Sequence, residues 1–145
     1  MADWSATALS TATSLAKIES EVNNLTSTDW SNKIATAKTM LGARLENTLS
    51  ERGIGVNEVD GEELLDVIVD PDVIFGLSSD FLTLFLIYNE LSDGGKNSSY
   101  QEKSDFYHGL FEDQLAVDIK RIKLDNNLDD TTDSYRSNWH QRLTR

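Results

Sequence analysis

The stretch from Asp70 to Asp125 constrains the fold more than any other part of this chain. It opens on Asp70-Pro71, runs apolar to Leu91, breaks at Ser92-Asp93-Gly94-Gly95-Lys96-Asn97-Ser98 and resumes from Ser99 to Leu124. Asp70 suits a helix N-cap, and Pro71 suits the first helical position, where a missing N–H costs nothing. Val73, Ile74, Leu77, Phe81, Leu84, Phe85, Tyr88 and Leu91 then recur at the three-and-four spacing of a buried helical face. The glycine-containing break stops that helix. Tyr100, Tyr107, Leu110, Phe111, Leu115, Ile119 and Ile122 place a similar stripe on a second helix. The spacing predicts a helical hairpin that holds most of the aromatic residues and carries the core.

The remaining segments are read around that hairpin. Residues 1–13 are rich in Ser, Thr and Ala and are expected to form a short helix or an N-terminal arm, whose Trp4 is expected to tack it to the core. Ser14 to Leu25 has Leu15, Ile18, Val22 and Leu25 on one helical face, and Thr26-Ser27-Thr28-Asp29 breaks it. Trp30 to Glu51 is a stronger helix, with Trp30, Ile34, Ala37, Leu41, Leu45 and Leu49 in register. Gly42 within it costs about 1 kcal/mol against Ala, which points to close approach of a neighbouring helix. Residues 53–57 connect to a short amphipathic piece, Asp60 to Ile68. The expected architecture is all-α: a bundle of four to five helices over 14–124, with a long central helical hairpin. An extended C-terminal segment, 125–145, follows as an acidic turn and a basic tail.

Composition narrows the function classes. The chain has 145 residues, so it forms one domain that buries roughly 68–70% of its unfolded surface. It has no cysteine, which excludes disulfides, thiolate metal sites and cysteine nucleophiles. One proline and eight glycines favour helix over sheet. Met1 to Leu9 lacks the basic start of a secretory signal, so the sequons at Asn24 and Asn97 read as chance and synthesis as cytoplasmic. Val73 to Leu91 is interrupted by Ser78, Ser79, Asp80 and Thr83, short of the roughly 18 uninterrupted apolar residues of a membrane span. The net charge of −12 argues against nucleic acid as a specific partner. That charge is uneven. No Lys or Arg falls between Arg52 and Lys96, whereas Ser134 to Arg145 has no acid and three arginines. An acidic body with a basic end suits head-to-tail docking or a grip on an acidic neighbour, but on charge alone a solvated body with a frayed tail is the preferred reading.

No catalytic, cofactor-binding or metal-ligating residue is assigned. Asp125, Asn127, Asp129, Thr131 and Asp133 sit at the odd positions of a calcium loop. Asp130 replaces its glycine, however, and Arg136 stands where the bidentate Glu belongs, so a helix-terminating turn fits better. Glu62, Glu63 and Asp66 read as the solvated face of a short helix rather than an acid–base pair. His108 and His140 lack a second histidine at helical spacing, and phosphate-loop, dinucleotide and nucleophile-elbow motifs are absent. Tyr100, Tyr107 and Phe111 read as core rather than as a cofactor wall. The tail differs: Tyr135, Arg136, Trp139, Arg142 and Arg145 are residue types enriched in binding hot spots, in a segment with little else to bury.

Several of these residues carry a resemblance. Val69-Asp70-Pro71 opens an apolar helix ending near Tyr88. Tyr100, Lys103 and Tyr107 make a Tyr-x-x-Lys-x-x-x-Tyr pattern, and Leu124-Asp125 opens an acidic turn. Upstream stands Ile34-Ala35-Thr36-Ala37-Lys38. Over about Asp29 to Asp133 the chain resembles the small α-helical adaptor, or head–tail connector, proteins of tailed bacteriophages. It departs from them at the end of the acidic motif, where Asp130 and Thr131 stand in place of a glycine.

The resemblance implies a non-enzymatic virion protein of the neck, at the head–tail interface. It would form a ring of about twelve copies beneath the portal protein, extend the DNA channel and seat the next neck or tail protein. Double-stranded DNA would pass through without specific binding, past a wall that an acidic surface suits. The tail residues Tyr135, Arg136, Trp139, Arg142 and Arg145 would dock on the portal, with no cofactor and no membrane involved. The acidic face between Glu58 and Asp93 would meet a neighbouring copy, the lumen or solvent. The competing expectation is an acidic inhibitor or regulatory protein that binds a basic partner and forms no ring.

Overall fold

The computed structural model of the chain describes residues 4, 7–22, 30–51, 65, 68–124 and 134–135. Four helices follow in order: α1 (Ala12–Ile18), α2 (Ser31–Glu51), α3 (Pro71–Leu91) and α4 (Ser98–Ile119). The described fold is all-α in character. Its one further element is a minimal antiparallel pair, β1 (Lys123–Leu124) with β2 (Ser134–Tyr135), in the register Lys123↔Tyr135 and Leu124↔Ser134.

The α3–α4 hairpin is the centre of the molecule, and α2 packs against α3. Asp93, Gly94 and Gly95 turn the chain between them with φ of 50°, 69° and 91°, a left-handed run that glycine adopts at no steric cost. The Asn97 side chain then caps α4, accepting from the Tyr100 N–H at 3.3 Å. At the other end Pro71 occupies the first turn of α3 as expected, but Asp70 does not cap it. Asp70 is left-handed, with φ 48° and ψ 59°, and its side chain makes no cap hydrogen bond. Only its carbonyl serves the helix, accepting from the Val73 and Ile74 N–H groups.

The core follows α2 closely. Trp30, Ala37, Leu41, Leu45 and Leu49 are buried at the expected register, and Ile34 is half-buried. α3 departs from its expected stripe. Val73 is 69% exposed and Leu77 43%, whereas Phe75, Leu82 and Ile87 are buried. Residues 78–80 and 82–84 are all buried, so at that level α3 has no solvent face. By length and composition α3 could cross a membrane. Here its middle is enclosed by α2, α4 and the N-terminal segment.

Two expected boundaries move. α1 starts at Ala12, inside the presumed arm, because Thr11 and Ser14 form a reciprocal capping box. It stops at Ile18, before the expected Leu25. α4 ends at Ile119 rather than Leu124, because the backbone of 123–124 pairs with 134–135 instead of continuing the helix. Trp4 tacks the arm down, 6% exposed against Gly42. A Cβ at Gly42 would meet Leu65 Cδ1 at 3.0 Å and the Trp4 ring at 3.3 Å. The close neighbours at this glycine are therefore two side chains, not a helix backbone.

Candidate functional site

The tail singled out by sequence has its root in the described structure and its body outside it. Tyr135 pairs through its backbone with Lys123, directly beyond α4. Arg136, Trp139, Arg142 and Arg145 lie outside the described residues. So do Glu62, Glu63, Asp66, His140 and the Asp125 to Asp133 cluster. Among the described residues no three His, Asp or Glu side chains gather as a metal site would require.

The Tyr100, Lys103 and Tyr107 pattern converges on one place. Tyr88 of α3 stacks with Tyr100 at 5.8 Å and with Tyr107 at 5.9 Å between ring centroids. Lys103 Nζ lies 5.1 Å over the Tyr88 ring and 3.3 Å from Glu19. The Tyr107 hydroxyl donates to Glu19 Oε1 at 2.6 Å. Burial first, and then the Glu19 carboxylate, push the Tyr88 hydroxyl up to about 12 and raise that of Tyr107 as well. Both phenols therefore stay protonated at neutral pH. This cluster is a clasp that holds the segment after α1 onto the hairpin. Nearby, the Trp30 Nε1–H donates to the Val22 carbonyl at 2.8 Å and fastens the same segment to α2.

Three described carboxylates of the expected acidic face have partners within the chain. Asp80 is 7% exposed and accepts from the Ser14 hydroxyl at 2.8 Å. Glu90 lies 3.3 Å from Lys33, and Asp93 3.8 Å from Lys96. Beyond α3, Glu112 takes both Arg44 nitrogens, at 2.9 and 3.0 Å, which lowers its carboxyl below the ordinary range. His108 stands exposed beside the Phe85 ring at 4.9 Å, with Glu112 3.9 Å away.

Two features were missed from sequence. Asp118 is fully buried and accepts from Ser78 at 2.5 Å, Gln114 at 2.9 Å and Arg121 at 3.4 Å. The signal was present, because Phe111, Leu115, Asp118 and Ile122 keep a core spacing that an acid interrupts. The second is a groove of about 270 Å³ between α2 and α4, floored by Leu82 and Phe111 and edged by Met40, Ala43, Arg44 and Asn47. Its shape follows from Arg44, which lies 5.7 Å over the Phe111 ring while it pairs with Glu112.

Comparison with family models, curated proteins and solved structures finds no match. The geometry alone thus describes a helical scaffold with clasped segments, an outer groove and a tail rooted beside the end of α4.

Proposed function

We propose that this chain is a structural connector of a tailed-phage neck, assembling as a ring beneath the portal and joining head to tail. In this reading the tail from Tyr135 to Arg145 docks on the portal protein. DNA passes through the ring without specific contact, and the next neck or tail protein seats on its far side. The observation that carries the reading is the clasp. Tyr100, Lys103 and Tyr107, the polar fixed points of the resemblance, have a shared physical task in holding the N-terminal segment to the hairpin. A scaffold fastened in this way is suited to bearing load while its tail engages a partner.

The competing reading, an acidic inhibitor of a basic partner, draws less support. Asp80 is buried, and Glu19, Glu90, Asp93 and Glu112 each face a cation of the chain itself. Of the face expected between Glu58 and Asp93, Asp80, Glu90 and Asp93 have partners within the chain, Asp70 and Asp72 are exposed, and Glu62, Glu63 and Asp66 lie outside the described residues.

The test is copy number in purified virions of the source phage, by quantitative mass spectrometry against the portal protein. A ratio near one to one is expected, and deletion of Ser134 to Arg145 should abolish incorporation while the helical circular-dichroism spectrum persists. Absence of the chain from virions would overturn the neck reading. Normal incorporation of the truncated chain would overturn the docking role of the tail.

A further inference from the structure

We propose that Phe106 of one copy seats in the groove between α2 and α4 of a second copy, a head-to-tail contact that repeats from chain to chain. The inference deepens the ring reading and rests on it for the partner. Its test is made in solution, so the contact can fail while the chain is still found in virions, and the reverse.

α4 carries a knob on one flank and a wall of the groove on another. On its outer flank Phe106 is 60% exposed, in one row with Leu110 and Val117. Its ring meets that of Tyr107 edge-on, 5.2 Å between centroids. The groove, of about 270 Å³, has Leu82 and Phe111 at its floor and the half-exposed Met40 at its rim. An apolar cavity of about 150 Å³ already accepts a benzene ring, so the groove has room for one phenyl side chain. Phe111 follows Phe106 by five positions and Glu112 by six, which sets Phe106 roughly 120–140° around the helix from the side that meets α2. Phe106 therefore cannot enter the groove of its own chain. A knob and a hole on different flanks of one molecule make a heterologous contact, which closes into a ring or runs on as a filament.

Charge favours the same pairing. The chain is acidic overall, yet α2 carries Lys33, Lys38 and Arg44 against Glu46 and Glu51. α4 carries five acids and one lysine. Of those acids Glu102, Asp105 and Asp113 are exposed; Glu102 stands one turn before Phe106 and Asp105 directly before it. At the groove's rim Arg44 engages Glu112 through two nitrogens of a guanidinium that has five N–H donors. Seating Phe106 brings Glu102 and Asp105 of one copy to the cationic helix of the next. Two copies joined through the same outer flank would instead set acid against acid.

The test uses two full-length variants, each defective on one side. Phe106→Ser removes the knob and keeps the groove. Ala43→Glu puts an acid into the groove and keeps the knob. Met40→Glu does the same from the rim, and replaces Ala43→Glu if that variant loses its helical circular-dichroism spectrum. In analytical ultracentrifugation the sedimentation coefficient of the parent should rise with concentration, and each variant alone should associate more weakly by about tenfold or more. An equimolar mixture of the two variants should recover association and stop at two chains, because that pair holds one working contact and none to extend it. Three results would overturn the proposal. They are a parent that stays monomeric at every concentration, groove variants that associate as the parent does (as a two-fold contact between like flanks would allow), and a mixture that stays monomeric.

Discussion

The two ends of the α3–α4 hairpin have similar apolar spacing and different fates. At the turn end Leu84, Ile87, Tyr88 and Tyr107 are buried, because residues 15–22 and Trp30 lie over them. At the open end the α2 side is equally full, with Phe75, Leu82, Phe111, Leu115 and Ile122 in one cluster. There, however, Val73, Leu77 and Val117 stay exposed. Periodicity says which side chains can be buried; a covering segment decides which of them are. The clasp at Glu19 closes the turn end; at the open end Trp4, Leu9, Leu65 and Ile68 join the buried cluster and leave Val73, Leu77 and Val117 outside it.

The contrast predicts a wide gap between matched truncations. Tyr88 is 1% exposed and touches two rings and a cation, so Tyr88→Ala should cost about 3–5 kcal/mol in urea unfolding. Val117→Ala at the open end should change stability by less than about 0.5 kcal/mol. Comparable losses at the two sites would mean that the flank is covered in solution.

A second substitution probes what holds the open end together in place of aromatic stacking. Ser78→Ala removes one of the three donors to the buried Asp118 carboxylate while leaving α3 intact. The expected cost is about 1–3 kcal/mol, the penalty of leaving a buried charged acceptor short of a partner. A neutral result would show that Gln114 and Arg121 suffice, and that the open end depends on its apolar cluster alone.

Sequence reasoning succeeded where burial depends on one helix and its period, as on α2, where Trp30, Ala37, Leu41, Leu45 and Leu49 all fall inside. It failed on α3, because that helix is enclosed on more than one side. Ser78, Ser79, Asp80 and Thr83 read as interruptions of an apolar face, yet each is buried and hydrogen-bonded to a partner. Their partners Ser10, Ser14 and Asp118 lie 69, 66 and 40 residues away, a separation that no local pattern encodes. The same holds for the clasp. The spacing of Tyr100, Lys103 and Tyr107 was visible, but Glu19, 88 residues from Tyr107, was not. The turn at Asp93, Gly94 and Gly95 was legible because its chemistry is local. The end of α4 was not, because the pairing of 123–124 with 134–135 competes with the helix from outside it.

A smaller effect than that of Ser78→Ala concerns Asp80, where the N-terminal segment meets α3 midway between the two ends. Burial raises its carboxyl above the ordinary 3.8, against the opposing pull of hydrogen bonds from Ser10 and Ser14 and of the Lys17 charge. The folded chain therefore holds this proton more tightly than the unfolded one does. The resulting stability is full below the unfolded value and is lost as pH rises through the raised folded value. Asp80→Asn cannot ionise and still offers the Ser14 hydroxyl an acceptor. The variant should match the parent in acid and become the more stable of the two as pH rises through that window, by less than Ser78→Ala costs. Urea midpoints of both proteins across pH test this, since the titration of other carboxylates cancels in the difference. A parent that stays the more stable at neutral pH would mean that the Asp80 charge itself tethers the N-terminal segment. The cover over the turn end would then be held electrostatically along its whole length, and not only by the clasp at Glu19.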